Sequence, residues 1–313
     1  MTRPLLLAAA ITLALAACSK EESAPVTDTP TAAQPADTGN ALLAASTLPF
    51  QAPPFDKLKD ADYQPAIEEG MKQHLAEIRQ IADNAEPATF QNTIEAMERS
   101  GALLTRATSV FFALAGANTN ETLQAAEEAL APKLAEHSDA IHLDPALFAR
   151  VKAIYDQRDT LGLTPEQKTV VEHYQRNFER AGALLSDADK AELRTLNAEE
   201  SSLSTAFGNK LLAAGNAGGV FVTDRAQLDG LDDGTIAAAA DAAKAAGKDG
   251  QWLLSLQNTT QQPVLASLKN RALREQMLAA STGRAEKGDA NDTRATIQRL
   301  AELRARKAQL LGF

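Results

Sequence analysis

The chain has 313 residues, a formal net charge of −10, 4% aromatic side chains and a single cysteine. An acidic surface repels phosphate backbones and anionic headgroups, which excludes nucleic acid and purely electrostatic membrane adhesion as its main partnerships. One cysteine leaves no pair for a disulfide, so packing alone must hold the body together.

The N-terminus opens with one positive charge, Arg3, followed by an apolar run from Leu5 to Ala17 broken only by Thr12. That is the length of a signal-peptide core and too short for a comfortable membrane span. It ends in Leu15-Ala16-Ala17-Cys18, the lipobox pattern, in which small residues fit a narrow peptidase site and the thiol takes the diacylglyceryl group. Residues 1–17 are therefore expected to be a lipoprotein signal peptide, cut between Ala17 and Cys18, with Cys18 lipidated. Loss of Arg3 takes the formal charge from −10 to −11. Residue 19 is Ser rather than the Asp that holds such proteins at the inner membrane, which favours a periplasm-facing outer-membrane location. The acyl chains would supply the membrane affinity, at about 0.8 kcal/mol per buried methylene. Residues 18–46, rich in Ala, Thr, Pro, Ser and Asp, cannot offset their ordering entropy and are expected to form a flexible tether. Residues 47–313 are long enough for a sizeable core.

The body reads as all-α. From Thr89, the residues Ile94, Met97, Gly101, Leu104, Phe111 and Ala115 fall at spacings of three, four or seven. This predicts a long helix of roughly 25 residues running to about Gly116. Asp144-Pro145 predicts a capped helix start leading into Phe148, Val151 and Tyr155. Thr164-Pro165-Glu166-Gln167 is a capping box, and Ser186 to Asp189 is a weaker one leading into Leu193, Leu196, Leu203 and Phe207. Asp292 or Asn291 is expected to cap the last helix, with Ile297, Leu300, Ala301, Ala308 and Leu311 on one face and Gly312 as a left-handed stop. Gly218 to Asp224 and Gly250 to Leu256 are short, apolar and bounded by turn residues. They predict two short strands that can pair, flanking an Ala-rich helix near Ile236 to Ala246. The expected fold is thus all-α with a small two-strand β excursion near 219–256, and no repeat period is evident.

No catalytic set emerges from the residues alone. Zinc hydrolysis needs converging imidazoles and a carboxylate, and His74, His137, His142 and His173 stand in no H-E-x-x-H pattern. His137 and His142 are five apart and point to different helix faces, and His74 lacks an i+4 partner; all four read as surface or partly buried helical residues. There is no G-x-S-x-G elbow, and Gly215 to Gly219 lacks the Lys-Ser or Lys-Thr of a phosphate cradle. Glu68-Glu69 and Glu127-Glu128 read as ordinary helix-surface charges.

Several segments, in order, resemble one family. They are Leu48-Pro49-Phe50 with Pro54-Phe55-Asp56, Asp62 through Met71, Thr89 through Gly101, Phe111-Phe112 and Gly116 through Asn120. Phe178 through Leu185, Leu256 through Pro263, Asn270-Arg271 and Arg294 through Gly312 complete the series. Together they are similar to the thimet oligopeptidase family of zinc metallopeptidases, closest to its bacterial peptidyl-dipeptidase branch. The resemblance implies the N-terminal part of a two-lobed, long-helix oligopeptidase that hydrolyses short peptides. It implies zinc for the full-length enzyme, held by H-E-x-x-H and a later Glu. That segment lies beyond the point matching Leu310 to Phe313, so no catalytic or metal residue is expected in this chain and it is expected to be inactive alone. The alternative is a complete, non-catalytic helical lipoprotein that binds peptides or another protein. A large apolar surface is expected near the C-terminal helices.

Overall fold

In a computed structural model that describes Gly39–Phe313, side-chain caps set where most helices begin. The expected signal peptide, the Ala17–Cys18 junction and residues 18–38 of the expected tether lie outside the described residues. Asp144 Oδ1 accepts the Leu147 N–H at 2.8 Å and opens α5 (Pro145–Asp156). Thr164 and Gln167 exchange side chain and backbone bonds at the start of α6 (Pro165–Arg180). Ser186 accepts the Asp189 N–H and opens the 31-residue α7 (Asp187–Ala217). Each satisfies amide donors that the first helical turn leaves without carbonyl partners.

Residues 40–46, assigned to the tether on composition, contain a short 3₁₀ turn at Ala41–Leu43. Leu42 is 1% exposed and packs among Tyr63, Ile67 and Phe111. Arg106 donates twice to the Leu42 carbonyl, at 3.1 and 3.0 Å, and Asn40 Nδ2 donates to the Asp62 carbonyl at 2.7 Å. One large apolar side chain with a buried slot outweighs the polar composition around it.

The single long helix expected from Thr89 to Gly116 is instead broken. A π-helical turn at Phe90–Glu95 runs into α2 (Ala96–Arg99), and α3 (Ala102–Ala117) starts afresh after Gly101, whose φ is +72°. The apolar stripe is real, but its two halves serve different cores. Ile94 and Met97 pack with Ile78, Leu147, Val151 and Phe178, whereas Ala107, Val110 and Phe111 pack with Tyr63, Ile67, Leu123 and Leu130. A left-handed residue at the junction redirects the chain between them, and glycine adopts it without Cβ strain.

Helix α1 (Tyr63–Ala82) crosses both cores, lies against α3, and meets α4 (Glu121–His142). Its approach to α3 is close: a Cβ on Gly70 would stand 2.8 Å from the Leu104 Cα. Helix α4 in turn packs along α7, and α7 along α11 (Arg294–Leu311). A third core surrounds the antiparallel pair β1 (Gly219–Val222) and β2 (Trp252–Ser255), where Val222 faces Trp252 and Gly219 faces Ser255. Helix α8 (Asp233–Ala245) joins the two strands, and α9 (Asn258–Ser267) and α10 (Arg271–Thr282) complete that core. The fold is all-α with one small sheet, as the periodicity predicts.

The last helix sits rotated from its expected face. Thr296, Leu300 and Leu303 are buried, while Ile297 is 51% exposed and Ala301 is also exposed. Bidentate pairs accompany this orientation: Arg299 reaches Glu199, and Arg306 reaches Glu192, both across to α7. Thr293 stands directly before the helix and makes no side-chain cap bond; the Asp292 carboxylate accepts the N–H of Arg294, the first amide of the helix, together with that of Gly288. Gly312 does close the helix in the left-handed region, at φ +81°. Along α7, Leu193 and Leu196 are buried but Leu203 and Phe207 are only half-buried. Exposed large apolar side chains are spread along the chain, from Leu48, Phe50 and Phe55 through Leu184 to Leu278, Ile297 and Phe313.

Candidate functional site

Two places bring chemistry-bearing side chains together. The first is an open cleft of about 450 Å³ where α4, the end of α6, α7 and α11 converge. Asp139 is buried there at 8% exposed, and burial pushes its carboxyl above the usual range. A 2.7 Å bond from Asn197 Nδ2 works against that rise, as do the positive charges of Arg194 and Lys307. Glu200, on the same wall, is partly desolvated, yet bonds from Arg304 at 2.8 Å and Lys307 at 2.6 Å hold its carboxyl below the usual range.

His142 also lines the cleft. Its Nδ1 lies 2.9 Å from the Ser138 carbonyl, which can only accept, so Nδ1 carries a proton. The Ser138 hydroxyl, 3.3 Å from Nδ1, therefore faces a donor and not a base. The cleft combines cations, carboxylates and hydroxyls suited to binding a polar ligand, without a nucleophile held by a base.

The second place is a chain of partly buried bonds between α1, the α2–α3 break and α4. The Ser100 hydroxyl donates to the Met97 carbonyl at 2.7 Å, so its oxygen is free only to accept. His74 Nε2, 3.1 Å away, must then be the donor, which leaves His74 Nδ1 as the acceptor from His137 Nε2 at 3.0 Å. One carbonyl thus fixes the direction of three bonds: His137 to His74 to Ser100 to Met97. His137 is 7% exposed and no group bonds its Nδ1. Burial drives its pKa down to about 4, with further lowering from His74 and His142. His74 is lowered as well, chiefly by burial and partly offset by Glu77. Beside them the Gly101 N–H donates to Glu77 at 2.7 Å, and a Cβ on Gly101 would meet the His74 ring at 2.9 Å.

A serine, a histidine and an orienting histidine in series have the outline of a nucleophilic site. The details oppose it: the serine proton points at a carbonyl, and the adjacent Gly101 N–H, which would have to stabilise an oxyanion, is taken by Glu77. The arrangement does not fit zinc either. The two imidazole nitrogens that face each other are bonded to one another, and no three His, Cys, Asp or Glu side chains converge among the described residues.

The remaining sequence candidates are ordinary apart from Glu127, a half-buried residue whose carboxyl is raised by burial and by the neighbouring Glu128. Glu68 accepts from Lys133 at 2.5 Å and Glu69 from Gln73 at 2.9 Å, on the α1 surface. Glu128 accepts from Asn209 at 2.8 Å. Gly218 and Gly219 lead into β1, where a Cβ on either would collide with Leu256 or Leu253. His173 is exposed and bonds Asn177 on its own helix. Reading all four histidines as independent surface or partly buried residues misses the pair, because His74 and His137 are 63 positions apart. A local signal existed. His74 is in phase with Met71 and Ile78, and His137 with Leu130 and Ile141, so both occupy apolar helix faces.

No family model matches the chain. It is 51% identical over 276 residues to a dipeptidyl carboxypeptidase of Escherichia coli (strain K12), covering 88% of this chain and 40% of that protein. A dipeptidyl carboxypeptidase of Salmonella typhimurium is 49% identical over 274 residues, with the same shares covered. Oligopeptidase A of Escherichia coli (strain K12) is 28% identical over 269 residues, which is 85% of this chain and 39% of that protein. The chain thus spans about 40% of the length of the dipeptidyl carboxypeptidases it matches.

Proposed function

We propose, from the premise that this chain is a partial-length relative of the thimet oligopeptidase family, dipeptidyl carboxypeptidase and oligopeptidase A among them, that it is the N-terminal part of a zinc metallopeptidase of the peptidyl-dipeptidase type. The observation that carries this reading is identity of 51% sustained over 276 residues, nearly the whole described body. Short peptides are the substrates in this reading. Zinc belongs to the full-length enzyme, with its ligands outside the residues of this chain, and this chain alone is inactive. Cys18, lipidated after cleavage at Ala17, holds the body on a periplasm-facing membrane, the outer one being favoured by Ser19.

A short-peptide assay with added zinc tests the inactivity: no chelator-sensitive release of C-terminal dipeptides is expected, and such release would overturn it. Reading the DNA past codon 313 tests the rest, with H-E-x-x-H expected within a few hundred codons. A natural stop with no such motif would instead favour a complete, non-catalytic lipoprotein that binds peptides or a partner. The polar cleft between α4, α7 and α11 supports that second reading. A diacylglyceryl mass on Cys18 is expected under both, and an unmodified mature thiol would sink the anchoring.

A further inference from the structure

We propose that the His74–His137 pair is an acid-operated latch, in which proton uptake parts α1 from α4 at that point and frees the Ser100–Gly101 break. The neutral pair is bonded in one direction only, with His137 Nε2 donating to His74 Nδ1 across 3.0 Å. A proton arriving at His74 Nδ1 would set two donors against each other. His137 can answer by moving its own proton to Nδ1, which places a donor on the one ring atom that no group bonds. A second proton makes both rings cationic at van der Waals contact, their centroids 5.0 Å apart, in a seam where His137 is almost fully buried.

The groups facing the pair decide its sign. From α1, Glu77 favours the first proton on His74. From α4 itself, His142 opposes a charge on His137, and the α2–α3 break contributes only the Ser100 hydroxyl. Among the described residues no carboxylate is bonded to either imidazole, so the second proton meets no compensating charge. The break is tied to α1 by the His74 Nε2–H, which donates to the Ser100 hydroxyl, and by Glu77, which accepts the Gly101 N–H, so displacing the His74 ring pulls on the break through Ser100. Releasing these bonds alters a neighbouring cleft of about 390 Å³, whose walls include Ser100 and Thr105 on one side and Ser46 and Gln51 on the other.

Amide hydrogen exchange on the full chain at pH 7 and pH 4.5, corrected for intrinsic rates, reads the latch directly. The Thr105 amide bonds the Gly101 carbonyl at 2.9 Å, so its protection reports on the break. It is expected to fall by about tenfold or more on acidification, while amides of the β1–β2 pair hold. His137→Leu should abolish that fall. Ser100→Ala should weaken protection at both pH values and leave the ratio between them unchanged. If His137→Leu does not fold, His74→Gln serves the same purpose. An unchanged Thr105 amide in the wild type, an equal fall in the histidine variants, or a fall shared by the strands would each overturn the proposal.

Discussion

The α1–α4 seam and the α7–α11 seam both join long helices, and they do so with opposite chemistry. At the first, polar bonding is interior: two imidazoles and a serine hydroxyl bonded in series, with His137 buried. Its one ion pair, Lys133 to Glu68, sits at the rim with both side chains well exposed. At the second seam the polar bonding is mostly peripheral: guanidinium–carboxylate forks from Arg299 and Arg306 over a narrow apolar strip of Leu300 and Leu303. Buried neutral dipoles are sensitive to protons and indifferent to salt. Exposed charges are sensitive to salt and are indifferent to pH until the carboxylates titrate. The same packing task is therefore expected to make the first seam respond to acid and the second, weakly, to salt.

The comparison can be broken most severely at Gly101. Gly101→Val places a β-branched residue at φ +72° and a Cβ within 2.9 Å of the His74 ring. Urea denaturation at pH 7 should show a loss of about 3 kcal/mol, and a loss under about 1 kcal/mol would mean the seam yields easily.

Next in size is the pH response of His137. Its pKa falls from 6.5 to about 4 on folding, so the unfolded chain binds the proton more tightly. The stabilisation from keeping it neutral is complete above about pH 6.5 and fades as pH drops towards 4. Roughly 2 kcal/mol should go between pH 7 and 4.5. Carboxylates elsewhere also lose pairing in acid, so the discriminating quantity is the difference from His137→Leu. That variant should lose about 2 kcal/mol less than the wild type over the same interval, and parallel curves would remove His137 from the account.

A smaller effect is expected at Lys307, the half-buried end of the second seam. Lys307→Met leaves Glu200 with Arg304 as its remaining cation. A loss of about 1 kcal/mol is expected, together with an upward move of the Glu200 carboxyl measurable by carbon NMR. Smallest is the effect of the outer forks. Arg299→Ala and Arg306→Ala should each lower the thermal midpoint slightly at low salt and not at all in half-molar sodium chloride. A salt-independent drop would show that these arginines act through packing and not through charge.

Much of the fold was legible because the signals are local. Asp144, Thr164 and Ser186 each cap a helix by bonding an amide three residues on, and Gly312 ends one by its own φ. The strand pair announced itself through short apolar runs between turn residues. The functional region was less legible. Asp139 and His142 share a helix, but Asn197 and Lys307, which complete their cleft, come from other parts of the chain. His74 and His137 carried a faint local mark, being polar residues in phase with apolar ones, and that mark does not say which partner each will find.

Sequence alone determined the starts of α5, α6 and α7, the stop at Gly312, the two-strand excursion and the identity of the stripe residues. All of these depend on contacts within about one helical turn or on neighbours along the strand. The tertiary structure decided where the stripe breaks, which face of α11 turns inward and which imidazoles meet. Gly101 bends the chain because two separate cores claim the two halves of one stripe. Helix α11 turns Leu300 inward and Ile297 outward as it packs along α7, whose carboxylates, 100 or more residues away, bond its exposed arginines. The imidazole pair exists because α1 and α4 cross at that height. Side-chain periodicity gives each helix a direction to face, and only the packing of whole helices determines what stands opposite.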